Sequence, residues 1–251
     1  LIPYRVMRRT EVRPYATYSI LAICVGVFLW ELTIPDAKLF ATFTDIAITS
    51  CQLTLQWFSP KTWLDILRSM FLHGGWSHLI GNMLFLVIFG PAVEEYFGHR
   101  RFVAFYILAG VAAAISQIIV NAATRDLMCA VLPPVNPTLF NPPTAGWIPM
   151  IGASGAISGL IAGFLLLHPG VKVRAMIPLF RGIGPVVDVP SWIAIGIWIS
   201  LQLISGFAAL APGFRSGVAF WAHIGGFIFG AAAVFIATTF VPAPPQRIIE
   251  D

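Results

Sequence analysis

Six long apolar runs, at 15–32, 76–97, 102–122, 148–167, 191–209 and 217–240, constrain this chain more than any other feature. The hydrocarbon core of a bilayer is about 30 Å thick, so a run of roughly 20 residues crosses it as one α-helix. Backbone groups inside hydrocarbon must be satisfied internally, which leaves helices and closed barrels as spanning structures. Barrel strands alternate in segments of about 10 residues, whereas these runs are continuous. The expected fold class is therefore all-α: a polytopic six-transmembrane-helix bundle filling residues 1–251, with short tails at 1–14 and 242–251. Composition agrees, with 58% hydrophobic residues and 10% charged, against about 25% charged in a soluble domain.

The connections differ in character. Residues 35–75 scatter Phe40, Phe43, Leu53, Leu55, Trp57, Phe58, Trp63 and Leu64 among polar residues, which suits a segment lying at headgroup level. Residues 124–147 are rich in proline and asparagine and read as an irregular external loop, 169–190 form a basic connection, and a short apolar link surrounds 212–214. Basic residues accumulate in cytoplasmic loops. Arg5, Arg8, Arg9, Arg13, Arg100, Arg101, Lys172, Arg174, Arg181 and Arg247 fall on one side, and Lys38, Lys61, Arg68, Arg125 and Arg215 on the other, a division of ten to five that puts both termini in the cytoplasm. The net charge of +4 then belongs to loop ends beside lipid headgroups, and no nucleic-acid partner is expected. The chain starts without an initiator methionine and is expected to be a fragment or a processed form. Its first apolar run is too long for a signal-peptide core, so a retained span is expected. Cys51 and Cys129 fall on one side of the membrane, where a disulfide is open to them, but isolated free thiols are the expectation.

Depth singles out three polar residues. Ser154, His223 and Asn82 each lie about six residues inside a span that begins on the outer side, or about 9 Å down at 1.5 Å per residue. Polar groups held at that depth point to function. A serine and an imidazole are the minimum for nucleophilic acyl transfer, the imidazole taking the hydroxyl proton and later protonating the leaving amine. No carboxylate shares the level: Glu94 and Glu95 sit at the opposite end of span two, so the expected unit is a Ser154–His223 dyad. His78 and Asn82 are one turn apart and face the same way; both donate hydrogen bonds, as an oxyanion hole requires. His73 lies about 140° around that helix, and HExxH is absent, so neither metal nor cofactor is expected. Gly155, Gly159 and Gly163 on span four, and Gly226 and Gly230 on span six, form faces that let helix backbones approach closely.

Three stretches in this order carry a resemblance: Phe71-Leu72-His73-Gly74-Gly75-Trp76-Ser77-His78 running on to Gly81-Asn82-Met83, then Gly152-Ala153-Ser154-Gly155, then Ala222-His223-Ile224-Gly225-Gly226. Over its whole six-span core the chain resembles the rhomboid intramembrane serine proteases, in their six-span bacterial or archaeal form. The resemblance implies Ser154 as nucleophile and His223 as base, with Asn82, His78 and the Ser154 N–H stabilising the oxyanion. It also implies a water-filled cavity open to the outer face, a partly submerged first loop, and a mobile cap at 207–216. Substrates would be transmembrane proteins cut in or near a spanning helix, in a prokaryotic inner membrane. The alternative is an inactive relative that binds membrane clients without cutting them. The sequence departs from the family twice. The position four after the serine, often aromatic, is Ser158, and the first loop's adjacent tryptophan and arginine are replaced by the separated Trp63 and Arg68.

Overall fold

The structure is a computed structural model that describes residues 2–8, 10–124, 129, 145–179, 182–211 and 217–241. Along the chain run β1 (Ile2–Val6), α1 (Tyr15–Glu31), α2 (Asp36–Ile46), α3 (Ser50–Gln56), α4 (Pro60–Ser69), α5 (Trp76–Phe97) and α6 (His99–Thr124). A short 3₁₀ turn (Ala145–Trp147) precedes α7 (Ser154–Leu167), β2 (Lys172–Leu179), β3 (Gly182–Pro190), α8 (Ser191–Ala208) and α9 (Phe220–Phe240). Helices α5, α6, α8 and α9 are long and apolar enough to cross a bilayer, and α1 and α7 are shorter apolar helices of 17 and 14 residues. These six correspond to the six runs, making this a polytopic helical membrane fold.

Helix α7 is the axle of the bundle. It packs on α9, α6 and α5, and its residues from Gly155 through Phe164 are all buried. It is shorter than the run 148–167 because Gly152 takes φ 122°, a left-handed value that ends any continuous helix there. The extended residues before it bring polar backbone to membrane depth, which is tolerated where protein supplies the partners. Met150 N–H donates to the Ile48 carbonyl and Gly152 N–H to that of Ser69, at 2.9 and 2.8 Å.

Residues 35–75 hold α2, α3 and α4, with Trp57, Phe58 and Trp63 exposed. The buried Asp65 carboxylate anchors this segment, meeting Gln52, Lys61 and Arg68 at 2.5, 2.6 and 3.2 Å. Cys51 of α3 is disulfide-bonded to Cys129, which corrects the expectation of free thiols; Cys24 alone of the three is free, and it is buried. The pair became possible because α5 and α6 are a hairpin whose open end returns the chain to α3.

At the opposite end, residues 169–190 are not merely a basic loop. Strands β2 and β3 pair antiparallel, and β1 adds to β2 with Val6 opposite Val173. Val171, Val173 and Ala175 are buried while Lys172 is exposed, the period-two alternation of a one-faced strand. Nearby, Glu94 of α5 caps α1 from outside. Its carboxylate accepts the Ala16 and Thr17 N–H groups at 2.8 Å each and the Thr17 hydroxyl at 2.6 Å. Pro14, at the N-cap, has no side-chain bond to offer. Arg8 pairs with Glu95 at 2.5 Å, tying the N-terminal segment to the same helix.

Candidate active site

Ser154 is the first residue of α7, and His223 lies in the first turn of α9. Both were expected about one turn inside their spans. The structure puts Ser154 at the very start of its helix, because the chain enters α7 through a non-helical segment, whereas His223 is the fourth residue of α9, about one turn in. First-turn N–H groups have no partner within the helix, and a helix N-terminus is electropositive. The Ser154 backbone N–H is therefore a donor at the head of α7.

The two side chains meet. His223 Nε2 stands 2.8 Å from Ser154 Oγ. The approach is allowed by glycine: a methyl group at Gly155, Gly159, Gly226 or Gly230 would collide with the neighbouring helices, and at Gly226 with the backbone of Gly155 itself. On its far side the imidazole is also bonded. His223 Nδ1 lies 2.8 Å from Gln202 Oε1 of α8, and Trp198, one turn earlier on α8, lies against the ring with centroids 6.1 Å apart.

Asn82 is 7% exposed and its Nδ2 has no hydrogen-bond partner among the described residues. The His78 ring sits so close to Gly152 that a Cβ there would be 2.6 Å from His78 Nε2. Its other nitrogen, Nδ1, is the acceptor for the Gly74 N–H at 3.4 Å, which leaves Nε2 as the donor. Both donors thus lie beside Gly152, in the non-helical segment that leads into Ser154. His73 is buried beside them, its ring 5.2 Å from that of His78. Burial, with the neighbouring His78, lowers its pKa to about 4, so it is neutral packing at pH 7.

Serine, histidine and asparagine line one cavity of about 730 Å³, together with His78, Gln117 and Trp198. Gln117 of α6 accepts the Trp221 and Ala222 N–H groups at 3.1 and 3.2 Å, holding the start of α9 next to His223. It also donates to Asn121 at 2.9 Å, and Asn121 donates to Ser50 at 3.0 Å. The sequence reading passed over Gln202 and Gln117. Their signal was present: Gln202 is an isolated amide in an apolar run and Gln117 has Asn121 one turn on, six and seven residues from the outer ends of their helices and so near the serine's level. Ser158, where an aromatic is frequent in the resembled family, donates back to the Ser154 carbonyl at 2.7 Å. Of the cap expected at 207–216, residues 207–211 close α8, and 212–216 lie outside the described residues. Apart from Cys129 and 145–147, so does most of the 124–147 loop.

Fold and site together describe a polytopic membrane protein whose spanning helices gather a serine, a histidine and amide donors around one cavity. A family model for the rhomboid domain matches residues 60–240, and the chain belongs to the rhomboid family. Rhomboid protease AarA of Providencia stuartii is 29% identical over 185 residues, covering 69% of this chain and 55% of that protein. Rhomboid protease GluP of Bacillus subtilis is 28% identical over 90% of this chain and 37% of its own length. Mitochondrial Rhomboid protein 1 of Saccharomyces cerevisiae is 26% identical over 93% and 56%. The chain spans about a third to just over half of the length of these relatives.

Proposed function

We propose that this chain is an intramembrane serine endopeptidase that hydrolyses peptide bonds within or near transmembrane segments of other membrane proteins. The observation that carries the reading is the 2.8 Å bond between Ser154 Oγ and His223 Nε2, formed between two apolar helices at the wall of a cavity. Ser154 Oγ attacks the scissile carbonyl carbon while Nε2 takes its proton. The negative charge that develops on the carbonyl oxygen is met by Asn82 Nδ2, His78 Nε2 and the Ser154 N–H. Such fixed donors cost no reorganisation as the charge appears. The imidazolium then protonates the leaving amine, the amine departs, and an acyl-serine remains. A water molecule, deprotonated by the same nitrogen, releases the acid and restores the hydroxyl.

Two features support the orientation with both termini on the cytoplasmic side. β1 and the β2–β3 hairpin share one sheet, at the end that holds Arg5, Arg8, Arg13, Arg100, Arg101, Lys172 and Arg174, seven of the ten basic residues among the described ones. The Cys51–Cys129 disulfide belongs to the opposite, serine-bearing face, and disulfides persist in oxidising compartments.

The test uses the purified chain in a bilayer with a model single-span substrate and mass spectrometry of the products. Cleavage is expected to vanish in Ser154→Ala with its thermal midpoint unchanged, and a fluorophosphonate to label Ser154 in the parent. Cleavage that persists in Ser154→Ala ends the assignment. A parent that neither cleaves nor takes the label is a client-binding protein instead.

A further inference from the structure

We propose that Gln202 is the positioning residue of this site: it fixes the tautomer and direction of the His223 ring, so that the working unit is a Ser154–His223–Gln202 relay. The inference rests on the reading of Ser154 as nucleophile. A neutral imidazole carries its proton on one nitrogen, and only an unprotonated Nε2 can accept from Ser154. Gln202 Oε1 has lone pairs and no proton, so its 2.8 Å contact with Nδ1 requires the hydrogen to be on Nδ1. The Nε2 lone pair is then left facing the serine hydroxyl at 2.8 Å. One contact therefore dictates the other.

Among the described residues the surroundings give no competing orienter. The residue one turn after the serine, Ser158, is fully buried and spends its hydroxyl on the Ser154 carbonyl, offering no ring face to the imidazole. Among the described residues, the side-chain hydrogen bond and the ring contact that reach the His223 imidazole from outside α7 both come from α8: Gln202 at Nδ1 and Trp198 against the ring face. Residues 198 and 202 are one turn apart and share a helix face, so a single face of α8 holds the ring in both respects. An amide and a carboxylate can both accept here, and the amide does so at the lower desolvation cost. It accepts the Nδ1–H without bringing an ionised group into the apolar bundle, where a charge is costly.

The geometry explains why α8 must be seated for the site to work. Its buried residues are Ser191, Ile195 and Gly206, and its outer end is fastened to α9 by Trp221, whose indole N–H donates to the Gly206 carbonyl at 3.1 Å. That bond sits one turn beyond Gln202 and sets its height against His223.

The experiment compares Gln202→Met, of similar length but without an acceptor, with Gln202→Glu, which restores one. The full chain is held in a bilayer throughout. Three quantities are read: the rate at which a fluorophosphonate labels Ser154, kcat and KM on a single-span substrate, and the His223 tautomer by ¹⁵N NMR of histidine-labelled protein. Gln202→Met is expected to slow labelling and kcat about 10- to 100-fold, short of the roughly 10⁴-fold loss seen when a carboxylate orienter is neutralised and the wrong tautomer results. KM should hold, the Nδ1–H signal should give way to a tautomer mixture, and Gln202→Glu should recover most of the rate. Gln202→Leu replaces the methionine variant if that protein fails to fold. A folded acceptor-free variant that labels at the parent rate, or labels slowly with its tautomer unchanged, overturns the proposal. If Ser154→Ala is inert in the same assays, that result leaves the dyad standing; if Ser154→Ala still cleaves, it is the nucleophile that was misassigned.

Discussion

Gly226→Ala tests whether helix proximity sets the catalytic distance. Gly226 follows His223 by three residues, and Gly155 directly follows Ser154, so the α7–α9 contact at this pair lies at the foot of the site. A Cβ on Gly226 would stand 3.0 Å from the Gly155 carbonyl carbon and closer still to its oxygen. Carbon pairs settle at about 3.5–4.0 Å, so the carbon alone demands a retreat of roughly 0.5 Å, and clearing the oxygen brings it to about 1 Å. Neither partner is a side chain that can swing aside; the helices must separate. Opening the 2.8 Å Ser154–His223 bond by that much takes it beyond the 2.7–3.2 Å range of a sound hydrogen bond. A misplacement of about 1 Å can cost 10²-fold in rate, or roughly 2.7 kcal/mol of barrier. Overpacking should also lower stability by about 1–3 kcal/mol. The assay is kcat on a single-span substrate with fluorophosphonate labelling, beside a thermal melt. Gly26→Ala, where an added methyl meets nothing within 4 Å, serves as the control and should behave as the parent. A Gly226→Ala protein with parent kcat would refute the argument, since the collision is with backbone and cannot be absorbed locally.

Three further outcomes follow from contacts away from the serine. Replacing Glu94 with alanine should cost about 1–3 kcal/mol of stability, read in mixed-micelle denaturation, because it leaves the buried Ala16 and Thr17 N–H groups and the Thr17 hydroxyl without their acceptor. Alkylation of denatured, unreduced protein should modify one cysteine and reduction should raise that to three; cutting the Cys51–Cys129 link should cost about 2–4 kcal/mol. His168, just past α7, is fully buried with neither ring nitrogen bonded among the described residues, and burial first, then the Arg8 charge, bring its pKa down to about 4, against an opposing effect of Glu95. Its folded pKa thus lies below the usual histidine value of about 6.5. The unfolded chain takes up the proton first as the medium acidifies, so stability is full above pH 6.5 and drains away towards pH 4. The melting midpoint should fall across that window, and His168→Phe should flatten the fall.

The six spans and the meeting of Ser154 with His223 were legible because polar residues are scarce in these runs. Against an apolar background, one serine, one histidine and one asparagine at a common depth are visible by counting residues. Their helical context was less so, since the start of α7 depends on the left-handed backbone at Gly152, and glycine alone does not announce its φ. The sheet had a readable signature in Val171, Val173 and Ala175 alternating with Lys172 and Arg174. It was overlooked because the buried face is only three residues long and its partner, β1, lies some 170 residues away in what reads as a tail. Gln202 was hidden differently: depth can be counted along a helix, but which neighbour a face meets depends on how α8 is rotated against α9. Nor could spacing pair Cys51 with Cys129, 78 residues apart, because that depends on where the end of α6 comes to rest.

The distribution of bonds then gives the molecule an internal logic. On the serine's face, Ser50, Asn121 and Gln117 form a chain of side-chain bonds that ends on the N–H groups of Trp221 and Ala222, and the disulfide closes beside it at Cys51. On the opposite face, Glu94 and Glu95 gather the start of α1, the Arg8 segment and His99. Between them, α6, α7 and α9 are locked by glycine contacts that leave no space for a methyl group. These constraints fix where the serine and the α9 backbone stand. They do not fix the rotation of the imidazole about its own side-chain bonds, because none of them touches the ring. That last degree of freedom is governed from α8, the spanning helix with the smallest buried share. If the chain cuts spanning segments as proposed, a substrate helix must reach the cavity through the bundle wall, and a displacement of α8, which carries Gln202, would relax the imidazole. Hydrolysis would then require α8 to return, so that passage of substrate and activation of the serine become successive steps rather than simultaneous ones.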